Sequence, residues 1–176
     1  MLKHLAVMAM AVATLMMSAC NTISTTGTIA VESSRPWAIL PIANYSTTPK
    51  ADETLATLVE TRLRSRGVRQ LESFRSQESL SLVSLLDKTP DNTALIQKAL
   101  SQGYQYGITG SVLEWHYKSG PDREPAVGLS LKVIDLASQQ VVWQGSASRT
   151  GWAYSNLSSV ADKVIRDLLK QVKFPG

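Results

Sequence analysis

The chain of 176 residues contains one cysteine and two histidines. A single thiol excludes an internal disulfide framework and any cysteine-rich metal site. With only His4 and His116, neither a histidine-rich zinc site nor an HExxH motif can be assembled. The motifs GxSxG, GxxxxGK[ST] and GxGxxG are also absent. No apolar run reaches the ~20 residues that span a bilayer as a helix. Aromatic residues make up 6% and charged residues 18%, and the net charge is +4. With 44% hydrophobic residues, the composition is that of one globular domain rather than a disordered, collagen-like or multi-span chain. This inventory points away from an enzyme and implies no cofactor.

What is present begins at the N-terminus. Lys3 and His4 precede thirteen residues, Leu5 to Met17, that are apolar except for Thr14. That length fits the apolar core of a secretory signal. Small residues Ser18 and Ala19 then lead to the sole cysteine, Cys20. The run Met17-Ser18-Ala19-Cys20 resembles the lipobox of bacterial lipoproteins, with Met where Leu is commonest. The resemblance implies cleavage before Cys20 and acylation of its sulfur and amine; the alternative is an ordinary signal with an incidental cysteine. Each buried acyl methylene contributes roughly 0.8 kcal/mol, so several chains hold a protein to a bilayer without a spanning helix. Asn21 follows, not the Asp of an inner-membrane retention signal, so the expected destination is the periplasmic face of the outer membrane. Processing removes residues 1–19 and lowers the side-chain charge to +3, a weak argument for nucleic acid, which is not expected as a partner.

Residues 20–34 read as a lipidated, Ser/Thr-rich tether, and residues 35–176 as one α/β domain. Trp37 to Ala43 fits a short buried strand, with Pro36 and Pro41 implying a bulge or an edge position. Thr48-Pro49 resembles a helix N-cap with proline at the first helical position, and Gly67 the matching stop. Leu55, Leu58, Val59 and Leu63 lie on one face of that helix. A short strand is expected over 68–71, a helix over 79–86, and another after Thr89-Pro90 that stops near Gly103. A strand follows over 104–115. Val127, Leu129, Leu131 and Val133 alternate with Gly128, Ser130, Lys132 and Ile134 as a half-buried strand, and 141–149 returns as its hairpin partner. Leu157, Val160, Ala161, Val164, Leu168 and Val172 mark an amphipathic C-terminal helix. The expected order is β-α-β-α-α-β-β-β-α, a mixed sheet with packed helices.

Two connections stand out. The loop 117–125 carries Asp122 and Glu124 between two prolines and a glycine, which would present the acids at a defined place. Alternatively it is a solvated turn in which Arg123 offsets one acid. Glu114, Asp122 and Glu124 also lie close enough in sequence to offer a glycosidase acid pair, although solvated loop acids are commoner than catalytic ones. The connection 150–155 holds Trp152 and Tyr154, whose amphipathic rings suit a lipid headgroup boundary unless Trp152 instead covers the end of the sheet. Arg62, Arg64, Arg66 and Arg69 cluster where they complement a helix C-terminus. Lys163, Arg166, Lys170 and Lys173 mark either a solvated helix face or a subunit interface.

The stretch from Gly110-Ser111-Val112-Leu113-Glu114-Trp115-His116-Tyr117-Lys118-Ser119-Gly120 through Glu124-Pro125-Ala126-Val127-Gly128 to Arg149-Thr150-Gly151-Trp152 resembles the PelC family. Trp37-Ala38-Ile39-Leu40-Pro41 and Asn44-Tyr45 extend the likeness over most of the mature chain. These are outer-membrane lipoproteins of Pel exopolysaccharide export, similar in fold to other periplasmic lipoprotein α/β domains. The resemblance implies a homo-oligomeric ring beneath the porin PelB, whose acidic surface collects a cationic polymer. Asp122 matches the family's acidic loop position and Trp152 its membrane-side tryptophan; Glu124 is added from its neighbourhood. The net positive charge departs from an acidic funnel. The competing expectation is an LpoB-like activator of a peptidoglycan synthase, for which the fourteen residues from Asn21 to Ser34 are a short tether.

Overall fold

The computed structural model describes residues 21–75, 92–152 and 154–175. The elements are β1 (Asn21–Thr25), β2 (Ile29–Ala30), β3 (Trp37–Ile39), β4 (Ala43–Asn44), α1 (Ala51–Ser65), β5 (Leu71–Ser73), α2 (Thr93–Ser101), β6 (Tyr106–Tyr117), β7 (Pro125–Asp135), β8 (Gln140–Thr150), α3 (Leu157–Leu169) and β9 (Val172–Lys173). One mixed sheet runs in the order β1-β8-β7-β6-β3-β5, with β4 also on β6, and β2 pairs with β9 separately. The α/β class with a mixed sheet and packed helices is as expected. The helix over 79–86, the Thr89-Pro90 helix start and Cys20 lie outside the described residues.

The main core lies between the sheet and the helix pair α1 and α3. Leu55, Val59 and Leu63 of α1 meet Val160, Val164, Ile165 and Leu168 of α3 over Ile108, Leu129, Leu131, Val133 and Trp143. A smaller cluster, Ala38, Leu40, Phe74, Ala99, Ile134 and Leu136, places α2 against the other face of the sheet. Gly107 belongs to this packing, because a Cβ there would come within 2.8 Å of Leu136 and 3.0 Å of Leu40.

Three expectations are corrected and one is decided between its alternatives. Residues 21–34 are not a free tether. Asn21–Thr25 pairs antiparallel with β8, Ile29 pairs with Val172, and the Trp143 indole donates to the Gly27 carbonyl at 3.0 Å. Of the two alternatives for Pro41 the bulge holds: β3 lies between β5 and β6, and from Ile39 opposite Ile108 to Ala43 opposite Ser111 one extra residue is inserted around Pro41, whose carbonyl accepts from the buried Thr109 hydroxyl at 2.6 Å. Thr48 does not cap α1, because the helix begins at Ala51 and the Thr48 hydroxyl donates to the Trp115 carbonyl at 2.5 Å. Val172 leaves the last helix for β9, where the unexpected β2 strand offers a backbone partner.

Charged side chains fasten the helices. Arg62 of α1 holds Asp162 of α3 through two guanidinium nitrogens. Arg66 donates to the Leu169 carbonyl, one of those a helix end leaves unpaired, and to the Val172 carbonyl of β9, and lies 4.9 Å over the Phe174 ring. The arginine cluster therefore ties particular partners rather than only complementing the helix dipole.

Asp167 links α3 to the sheet, accepting from Arg149 of β8 at 2.9 Å and from Lys170 at 2.7 Å. Burial pushes its carboxyl up, but Lys170, Arg149 and Arg166 outweigh that and hold it below its ordinary value of 3.8. The carboxylate thus contributes stability that is complete above the unfolded value and lost as pH falls through the lower folded one. Urea unfolding of Asp167→Asn at pH 7 is expected to show a loss of about 2 kcal/mol. The difference from the parent should shrink as the pH drops below 3.8.

Candidate functional site

The long strands β6, β7 and β8 end together, and that end carries the residues singled out above. Tyr117 pairs with Pro125 and Ala126 with Thr150. The Lys118 amide donates to the Glu124 carbonyl at 2.8 Å, closing the loop one step beyond the strands. Within it, Gly120 at φ +145° and Arg123 at φ +44° turn the chain. Asp122 and Arg123 are exposed. Glu124 is half-buried and faces Lys118, with Nζ and Oε2 3.7 Å apart. Arg123 is therefore not the cation that offsets an acid; Lys118 takes that role for Glu124. Among the described residues Asp122 makes no ion pair, so it is the freer of the two acids.

Glu114 lies apart from these, in β6, with its carboxylate 3.6 Å from His116 Nε2. A bulge beside it leaves Leu113 outside the pairing and exposed. Among the described residues no group of three or more His, Cys, Asp or Glu side chains could hold a metal ion.

The connection after β8 is shaped by Gly151. Its amide donates to the Pro125 carbonyl at 2.8 Å, and a Cβ there would come within 2.6 Å of Val160 and 2.9 Å of Pro125. With no room inward, the next residue turns out: Trp152 is 69% exposed, and Tyr154 is wholly exposed. Ser155 N donates to the Trp152 carbonyl at 2.8 Å, and the Asn156 side chain caps α3 by accepting from Ser159 N. Trp152 does not cover the end of the sheet. Trp37, Trp115 and Trp143 are buried, so it is the single exposed tryptophan of four.

The strand β1 adds what sequence reasoning missed. Asn21 pairs with Arg149, so the chain enters the sheet beside Thr150, two residues from Trp152. The only sequence signal was the run Thr22-Ile23-Ser24-Thr25, rich in β-branched residues but polar. Among the described residues no helix is long and apolar enough to cross a membrane.

Lys163, Arg166, Lys170 and Lys173 are all exposed, with Lys170 held by Asp167. Acrylamide quenching of the lipid-free domain should reach one emitting residue. Trp152→Phe is expected to remove most of the quenchable fluorescence and leave a blue-shifted spectrum from the three buried indoles.

No family model and no curated protein matches the chain. Among solved structures, the PelC dodecamer from Paraburkholderia phytofirmans superposes with a TM-score of 0.74 at 31% identity, covering 89% of this chain and 100% of that one. A single-substitution variant of that protein, also a dodecamer, gives 0.73 at 31% identity over 86% of this chain and 97% of that one. Lipoprotein GNA1162 from Neisseria meningitidis shares the fold at 12% identity, with a TM-score of 0.53 over 78% of this chain and 96% of that one. With nearly a third of its residues shared along almost its whole length, the chain belongs to the PelC family.

Proposed function

We propose that this chain is a non-catalytic, lipid-anchored protein of the outer membrane that assists export of Pel exopolysaccharide. Copies close into a ring and guide a cationic polymer toward a PelB-like porin. The observation that carries the reading is the PelC likeness over 89% of the chain, to a protein that is a dodecamer. Heterologous contacts between identical copies generate rings when their rotation closes.

The division of labour follows from the geometry of one end. Acyl chains on Cys20 and the rings of Trp152 and Tyr154 seat the domain on the inner leaflet. Asp122 extends from the neighbouring loop, without an ion pair among the described residues, and Glu124 adds a carboxylate shared with Lys118. Repeated around a ring, the Asp122 carboxylates attract a polycation weakly and many times, so the polymer is concentrated without being trapped. An activator reaching through peptidoglycan needs a free tether, and here Asn21–Thr25 and Ile29–Ala30 are paired in sheets.

Complementation of a strain lacking the gene tests the reading, with secreted polymer as the readout. Cys20→Ala should abolish membrane fractionation and secretion together. Asp122→Asn should reduce secretion severalfold at unchanged protein level, and Glu124→Gln should reduce it less. Normal secretion by Cys20→Ala or by an Asp122→Asn, Glu124→Gln double variant would overturn it, as would turnover of a soluble oligosaccharide by the purified protein.

A further inference from the structure

We infer that the membrane contact is made by two connections rather than one, and that Tyr117 joins Trp152 and Tyr154 in a single aromatic patch laid on a lipid surface. This rests on the membrane seating proposed above and extends it to the loop between β6 and β7.

The described residues expose four aromatic side chains: Tyr45, Tyr117, Trp152 and Tyr154. Three of them belong to the end where the long strands stop. Tyr117 is the last residue of β6 and pairs with Pro125, and the Pro125 carbonyl accepts from Gly151, next to Trp152. Tyr117 and the Trp152 turn therefore flank the first residue of β7 from either side. With adjacent strands about 4.8 Å apart, their backbones lie roughly 10 Å from one another. Tyr117 lies two residues beyond Trp115 in β6 and so shares the face of the sheet from which the Trp115 side chain enters the core beneath the helices. It thus leaves the sheet on the side where α3 starts, the side on which Gly151 abuts Val160.

Tyr45 marks the limit of the patch. It follows Asn44, which pairs with Val112, and its amide donates to the Val112 carbonyl at 2.9 Å. That register sets it about four residues short of Tyr117 along β6, roughly 13 Å at the rise of a strand. An interfacial side chain reaches only about 5–10 Å into the headgroup boundary, so Tyr45 stays outside it.

A lipid surface suits this patch better than a second protein copy. Tyr and Trp rings are amphipathic, with a dry body and a polar tip, and favour the boundary between headgroups and water. The chain enters the sheet beside Thr150 at this same end, which directs anything attached just before Asn21 to the same plane. Exposed Arg123 and half-exposed Lys118 stand on the loop that Tyr117 begins, where lipid phosphates would meet them. Seated on both connections, the domain stands with its long strands upright and Asp122 at headgroup level.

The test uses the mature lipidated protein in vesicles of phosphatidylethanolamine and phosphatidylglycerol with brominated acyl chains, read by tryptophan quenching. In a Trp152→Phe background, Tyr117→Trp should be quenched at least half as strongly as Trp152 in the parent. Val142→Trp, at the opposite end of β8, should stay at the background level, and Tyr45→Trp should stay near it. Quenching of Trp152 without Tyr117→Trp would overturn the two-connection contact and leave the single-turn seating intact. Absence of Trp152 quenching in the parent would overturn the seating itself. A blue-shifted, unquenched Tyr117→Trp would instead place that residue between subunits, also overturning the assignment. As a check independent of new tryptophans, Tyr117→Ser should lower vesicle co-sedimentation of the unlipidated domain about threefold at an unchanged melting temperature; unaltered co-sedimentation would count against the proposal.

Discussion

The continuous antiparallel hydrogen bonding of β6, β7 and β8 is the constraint from which the other placements follow. The β6–β7 pairing runs from Tyr106 opposite Asp135 to Tyr117 opposite Pro125, and β7–β8 from Asp135 opposite Gln140 to Ala126 opposite Thr150. A slip of one residue would turn Val127, Leu129, Leu131 and Val133 out of the core and expose them. The register is therefore held by the same burial that holds α1 and α3 on the sheet. Because that register ends all three strands at one level, the loop bearing Asp122, the turn bearing Trp152 and the start of β1 share an end of the molecule.

Charge and aromaticity are distributed along this axis. The arginines at the end of α1 and the Arg149–Asp167–Lys170 group are engaged in fastening helices to each other and to the sheet. Asp122 and the Trp152 turn, by contrast, face outward. The net charge of +4 says little about the surface a polymer would meet, because a local field depends on where the charges sit rather than on their sum.

Elements with their own periodicity were legible without the fold. Alternation over 127–134 marked β7, and the spacing of Leu55, Val59 and Leu63 marked α1, because both patterns report burial on one face. Segments whose structure depends on a remote partner were not. Asn21–Thr25 is polar and short, and it becomes a strand because residues 145–149 of β8 offer unpaired backbone groups. Thr48 looked like a cap, yet the Trp115 carbonyl 67 residues away claims its hydroxyl. At the site, Trp152 and Asp122 were conspicuous as residue types, whereas their exposure and common location came from Gly151 and the strand register.

By itself the sequence determined the class of the protein: one α/β domain behind a lipobox-like cysteine, with little material for catalysis and a family likeness over most of its length. These are properties of composition and of local pattern, which the chain carries whether folded or not. Tertiary structure alone decided that the supposed tether pairs as a strand, that Glu124 faces Lys118 while Asp122 stands apart, and that three of the four exposed aromatics among the described residues lie at the end where the chain enters the sheet. Each depends on which distant backbone or side chain is left to pair with, and that is settled only when the long strands take their register.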